Sequence, residues 1–455
     1  MNQNNYTNST VGGDVGNLRD QGAGALFGAI FYPSYLPVYD AEGQYNVFSR
    51  TPNPVSMQDI NDKSEQNGYY MNFSLDVDII KNMLSAKVLY GLNKENTSRD
   101  SYIPSDVYYA LQRKSRGNLG YGKRQQSTLE GTLTFQHKFG ELLDMNLMAG
   151  MGRYLNSGDG SDISYENAND HIQGSSVGMA DGPFYPTSYK YKNEKRSQFV
   201  RGNFDLLGRY VVSASLRRDG TDKFFPSKKY AFFPSVSLAW KMNEESFIKN
   251  ISWINMLKLR ASYGLVGNDN IGGARFVYMP TINLTGTGYT TGLDGDITYK
   301  GPVYSRYGNP EVTWEVGKKV NVGLDLQLFN SLNLTMDYFH ETRTDIFQER
   351  GTIPQYLGTA GTKVFGNLAA MKNQGFDFAA DFNKKIGKDW FISFKGTFTY
   401  AHNEITKYDE SPKYAFQSKV GQSANIPSIM ISDGLFKDPD DVKNSNQQIG
   451  GNLSA

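Results

Sequence analysis

Across 455 residues, 47 basic and 46 acidic side chains nearly cancel, so no overall charge points to nucleic acid. The chain has no cysteine, which excludes a disulfide framework and a thiolate zinc site. With 30 tyrosines, 27 phenylalanines and 47 glycines, it suits strands, turns and interfaces better than helix bundles, and no apolar run nears the ~18 residues of a membrane helix.

The length allows two or three soluble domains or one large β architecture. The start, MNQNNYTNSTVGGDVGNLRDQG, has no basic region followed by an apolar core, and the end, QQIGGNLSA, is polar. The chain reads as an internal fragment: a loop-like segment over 1–68, strands with their connections over 69–403, and a truncated loop and strand region over 404–455.

From residue 69 onward, apolar and polar residues alternate with the period of two that marks a strand between unlike surroundings. Phe73, Leu75, Val77 and Ile79 share a face opposite Ser74, Asp76 and Asp78. After IKN, the residues Leu84, Ala86, Val88, Tyr90 and Leu92 repeat the pattern. Leu129, Leu133 and Phe135 follow, and then, after GELLD, Met145, Leu147, Ala149 and Met151. Val200, Gly202, Phe204 and Leu206 precede LLGR, and YVVSASLRRDG (210–220) sets Val212, Ala214 and Leu216 against Ser213, Ser215 and Arg217. Val236, Leu238 and Trp240, then Leu257, Leu259 and Ala261, continue it. Val320 to Leu328, Leu332 to Tyr338, Phe376 to Phe382 and Trp390 to Tyr400 complete about 12 predicted strands.

Alternation alone fits a soluble sheet with one buried face as well as a wall in lipid. The connections favour the wall. Short turns (IKN, GELLD, LLGR, FNS, KKIGKD) alternate with long polar stretches at 93–127, 156–196, 266–311 and 347–361. Short turns on one side and long loops on the other are the habit of outer-membrane barrels. The segment 242–255 is an exception on the short side with room for a helical turn. In a barrel, Val212 and Leu238 face hydrocarbon while Ser213 and Ser237 face a wet interior. Tyr90, Tyr154, Tyr210, Trp240, Tyr263, Trp390 and Tyr400 suit interfacial girdles.

Motifs in the connections are mostly architectural. Arg217 reads as an interior or rim ion pair, with a substrate contact as the alternative, and Arg218, on the apolar side, belongs near the outer rim among polar headgroups or lipopolysaccharide, because lipid-facing arginine is costly at the midplane. Trp314 reads as an interface anchor, and Pro234 as a strand start. Ligand contacts are expected in the external stretches, where aromatic faces stack on sugars or pack against peptides. Tyr102, Tyr108, Tyr289, Tyr304 and Tyr307 are the candidate ligand-binding residues. GSSVG (174–178) lacks the strand–turn–helix of a nucleophile elbow, and GTGYTTG (286–292) lacks a βαβ setting. The four histidines are scattered. NSGDGSD (156–162) has the residues of a weak cation site, and turn chemistry explains it as well. No enzyme, cofactor or metal is expected.

Taken together, SASLRRDGTDKF (213–224), FPSVSLAW (233–240), LKLRASYGLVGNDNIG (257–272), NPEVTWE (309–315), NVGLDLQLFNSLNLTMDYF (321–339) and GNLAAMKNQGFDF (366–378) resemble the SusC/RagA family of TonB-dependent outer-membrane transporters. YPSYLPVYDAEGQY (32–45) and NFSLDVDIIKNM (72–83) add to the likeness. Departures are small: Thr221-Asp222 stands where the family often has two serines, and Asn373-Gln374-Gly375-Phe376-Asp377 where it often has Asn-Lys-Gly-Phe-Glu. The resemblance implies an all-β, antiparallel transmembrane β-barrel of about 22 strands. Of these the fragment would hold about 12, open or imperfectly closed, without the plug domain. It also implies uptake of an oligosaccharide or peptide, a SusD-like surface lipoprotein as partner, and TonB acting through the plug and N-terminal segment. A calcium-site-like acidic stretch would lie after LFKDPDD (435–441), at or beyond the C-terminus; LFKDPDD itself is too short to be that site. The alternatives from the residues themselves are a soluble all-β carbohydrate-binding protein and a passive porin.

Overall fold

The computed structural model describes residues 2–7, 29–30, 32–46, 53–105, 115–166, 177–272, 275–292, 297–353, 362–426, 437 and 440. Its strands are β1 (Asn2–Thr7), β2 (Asn61–Ile80), β3 (Leu84–Ile103), β4 (Arg116–Phe139), β5 (Leu143–Glu166), β6 (Phe184–Leu206), β7 (Tyr210–Thr221) and β8 (Tyr230–Lys241). They continue as β9 (Ile254–Asn268), β10 (Thr281–Thr291), β11 (Ile297–Arg306), β12 (Glu315–Leu328), β13 (Leu332–Glu349), β14 (Phe365–Ile386) and β15 (Trp390–Lys407). A single turn of helix, α1 (Ser246–Lys249), occupies the 242–255 connection, as expected there.

All strands except β10 and β11 form one 13-stranded sheet in chain order, each paired antiparallel with its neighbour. Twelve of these are the expected long strands; the short β1 adds to the edge beside β2. Among the described residues β1 and β15 each have one neighbour, so the sheet is an open section of wall.

The tight turns form where the sequence places them. Asn82 (φ 62°) turns β2 into β3, and Gly387 (φ 64°) turns β14 into β15. Both occupy the left-handed region that asparagine and glycine tolerate best. At this end of the wall Tyr210 stacks on Trp240 at 6.3 Å, and both donate to Glu245, at 2.7 and 3.0 Å. These hydrogen bonds, from Tyr210 first, hold the Glu245 carboxyl below its ordinary pKa.

The far end differs from the expectation. Much of 93–127 and 156–196, read above as loop, is strand: β4 and β5 run 24 residues each. At about 3.4 Å per residue that is roughly 80 Å, far beyond an apolar band of about 25 Å. The pairs Arg124–Gly158 and Lys123–Asp159 sit in uninterrupted register with the apolar pairs below them. Polar residues on both faces leave no alternation to read, yet neighbouring strands still satisfy each backbone donor and acceptor, so the ladder runs on into water. NSGDGSD is therefore part of β5, not a turn. The connection 266–311 is likewise not a plain loop, since β10 and β11 pair within it as a separate hairpin.

The apolar side of the wall is not sealed against protein. Leu75, Val200, Leu238 and Phe394 are 63%, 53%, 53% and 64% exposed. A soluble sheet would bury such a row; a lipid-facing surface leaves it open. A buried apolar cluster lies instead at one rim, formed by Phe224, Phe233, Ile271, Val277, Val312 and Trp314.

Candidate functional site

Cross-strand register sorts the two faces. Val212 pairs with Leu238 on one, and Ser213 with Ser237 on the other. The polar face carries charges that bond each other across strands. Arg99 grips Asp62 through two bonds of 2.9 and 3.1 Å. Arg260 holds Asp325 at 2.8 and 2.9 Å and Asp337 at 3.0 Å, joining β9, β12 and β13. Arg217 meets both oxygens of Asp219 at 2.8 Å and Ser197 at 2.8 Å, so it forms the ion pair read from the sequence. The guanidiniums are partly exposed and cover the carboxylates they pair with, which suits the lining of a water-filled interior and not a dry core.

At the rim, the chain leaving β9 folds back over this polar face. Asp269 accepts from Lys195 at 2.5 Å, from Thr221 at 3.0 Å, and lies 3.5 Å from Lys223. Burial opposes the charge, yet Lys195, then Lys223 and Thr221, outweigh it and keep the Asp269 pKa below its ordinary value. Just above, Phe233 packs edge-on to Trp314 at 5.5 Å and Phe224 to Trp314 at 5.8 Å. The Trp314 indole donates to the Lys229 carbonyl at 3.1 Å. Trp314 is thus a buried rim residue, 5% exposed, and not the interface anchor expected from NPEVTWE. Its burial depends on Phe224, Phe233 and Ile271, far away in sequence, and no local pattern reveals it.

The hairpin β10–β11 stands beside this rim. Tyr304 stacks on Tyr307 at 5.1 Å with both rings open to solvent. Their base is tied down: Thr362 donates to the Tyr304 carbonyl at 2.7 Å, and the Tyr307 N–H to the Lys363 carbonyl at 3.0 Å. Tyr289 pairs with Tyr299 across the same hairpin. Tyr102 lies elsewhere: it is in β3, buried, and not in a loop. Tyr108 falls outside the described residues. The structure therefore brings Tyr304 and Tyr307 together and places Tyr289 on their hairpin. It also reveals Phe225, Phe276 and Tyr278 as a linked aromatic group nearby, with ring centroids 5.8 and 6.1 Å apart. Arg275 lies 5.2 Å over Phe276. FVYMP offered only a mixed apolar run as a signal for it.

No cluster of potential metal ligands occurs among the described residues. Of LFKDPDD, only Lys437 and Asp440 are described.

A wall with an exposed apolar band, a paired-charge face and an aromatic, loop-covered rim has a counterpart among known proteins. Residues 2–436 match the family described as TonB dependent receptor-like, beta-barrel. The chain belongs to that family. It is a section of outer-membrane β-barrel, and the SusC/RagA resemblance read from the sequence agrees with its relatives. TonB-dependent receptor P3 of Formosa agariphila is 26% identical over 94% of this chain and 41% of its own length. TonB-dependent receptor SusC of Bacteroides thetaiotaomicron is 32% identical over 50% of this chain and 23% of its own length. Among solved structures, the RagAB peptide importer in its closed-closed state superposes with a TM-score of 0.69 at 22% identity, over 86% of this chain and 43% of that one. The chain thus spans less than half the length of the relatives it matches. Membership removes the soluble carbohydrate-binding alternative, in agreement with the open apolar band.

Proposed function

We propose that this wall serves a TonB-dependent importer of SusC/RagA type, which takes up an oligosaccharide or a peptide captured together with a SusD-like surface lipoprotein. The observation that carries the reading is the pairing of a charge-lined polar face with a rim whose loops are anchored by Asp269 and the Trp314 cluster. An anchored rim offers a pre-organised surface for a ligand, which limits the ordering cost of binding. The exposed Tyr304–Tyr307 stack supplies flat aromatic area suited to sugar rings or peptide side chains. RagAB, whose fold this chain shares, is named a peptide importer, which keeps peptides beside sugars as the cargo. Energy coupling would pass through TonB to plug and N-terminal segments of the complete protein.

The test is uptake by cells carrying the complete gene, against an in-frame deletion, with oligosaccharides and peptides as sole nutrients. Growth lost on one class and restored by the gene supports the reading. Uptake that persists when the proton gradient is collapsed identifies a passive pore instead and overturns it.

A further inference from the structure

On the lipid-facing side of β4–β7 the apolar surface is not flat. Leu133, Phe135, Leu147, Val200, Phe204 and Leu216 surround a groove of about 600 Å³. Its floor is recessed because Ala149 and Ala214 are small and Gly202, paired to both Leu147 and Ala214, has no side chain.

Directly above the groove, on the same face, the character changes. Arg218 follows Leu216 by two residues, about 7 Å along the strand, and Arg196 precedes Val200 by four, about 13 Å. Register places Gln198 opposite both Arg218 and Met151, and Arg196 opposite Arg153. Arg153 bonds Glu194 at 2.9 and 3.2 Å, and Arg196 shares that carboxylate at 2.6 Å. Arg218 bonds Gln198 at 3.2 Å and lies 4.0 Å over the Tyr230 ring, with no ion pair among the described residues. Three guanidiniums against one carboxylate leave two positive charges, and Arg153 and Arg196 are about half exposed. They sit where the apolar residues of this face give way to polar ones.

We propose that this face is a binding site for a phosphorylated lipid of the outer leaflet, with acyl chains in the groove and phosphates on Arg196 and Arg218. The occupant follows from charge complementarity at a fixed distance from an apolar groove. Planar guanidiniums match phosphate oxygens in pairs, and Tyr230 holds one of them flat against the wall. A zwitterionic lipid fills the groove equally well but leaves the excess charge unmatched. The proposal rests on the outer-membrane setting and is independent of which solute is imported.

The test is native mass spectrometry of the complete protein in mild detergent. The probes are bis-phosphoryl lipid A, its dephosphorylated form, phosphatidylethanolamine and inorganic phosphate. The bis-phosphoryl form is expected to bind at least tenfold more tightly than the dephosphorylated form or phosphatidylethanolamine. R196Q/R218Q and, separately, A214W are each expected to lose at least tenfold in that affinity, whereas K384Q, a basic residue removed at the other end of the wall, is not. Heat-modifiable gel mobility confirms that each variant is assembled, and A214W tests the groove even if the double variant misassembles. Equal binding of phosphorylated and dephosphorylated lipid, unchanged affinity in both variants, or displacement of the lipid by equimolar phosphate overturns the proposal.

Discussion

Lys195 on β6 and Asp269, 74 residues later, meet at 2.5 Å and fasten the chain leaving β9 across the polar face of β6 and β7. Asp269 is 6% exposed while Lys195 is about half exposed, so the carboxylate is the buried partner. D269N keeps the shape and removes the charge, leaving Lys195 and Lys223 facing a neutral amide. A cost of about 1–3 kcal/mol to the local clamp is expected, from the loss of charged hydrogen bonds. Hydrogen exchange should rise in 269–280 and stay unchanged in β13 and β14.

The same clamp has a defined pH response. The Asp269 pKa is lowered on folding, so its contribution is complete above the ordinary carboxylate pKa of about 3.9 and fades as pH falls through the lower folded value. Rim protection measured by hydrogen exchange, corrected for intrinsic rates, should therefore match at pH 7 and pH 5. It should weaken only below about pH 4. A loss centred near pH 6 would show that a different group controls the rim.

Gly267 tests the rim cluster. A Cβ built there would collide with the Phe233 ring, Cζ first. G267V forces that ring out of its packing against Trp314, at a cost of about 1–3 kcal/mol from overpacking. The expected readout is a change in Trp314 fluorescence and earlier proteolysis near 225–232, with the assembled band on gels retained. An unaltered tryptophan environment would contradict the packing described.

Leu238 and Ser237 are neighbours in sequence but face opposite media. L238R puts a guanidinium into lipid and should lower stability in bilayers by about 2–4 kcal/mol if its position is near the midplane. S237R places the same group on the polar face and should cost less than 1 kcal/mol, as a surface-type change. Urea unfolding of the complete protein in lipid vesicles measures both. Similar losses at the two positions would mean that the faces are wrongly assigned.

Tyr304 and Tyr307 form a solvent-open aromatic stack, which on the proposed reading meets the ligand. Y304A and Y307A are each expected to weaken ligand binding about two- to tenfold, equivalent to an aromatic contact of about 0.5–1.5 kcal/mol. Because their backbone ties to Thr362 and Lys363 do not use the rings, assembly should be unaffected. Titration calorimetry with the nutrient identified by growth supplies the comparison; unchanged affinity in both variants removes these rings from the site.

Legibility in the sequence followed the reach of each interaction. Leu216 beside Ser215, or Leu238 beside Ser237, reports two different media through neighbouring residues, so strands, tight turns and orientation could be read locally. In Lys123 to Ser127 or Asn156 to Asp162 both faces are wet, and the local signal disappears although the strand does not. Tyr102 looked like a loop ligand for that reason and is a buried wall residue.

The order of the chain by itself determined an antiparallel wall with one oily and one hydrated side, because side-chain alternation is fixed by the geometry of an extended backbone. Only the folded arrangement decided how far the wall rises beyond the membrane, and that Asp269, Trp314 and the arginines above the lipid-facing groove find their partners. Those contacts join residues tens of positions apart, and what brings them together is strand pairing across the whole sheet, which no local stretch of residues encodes.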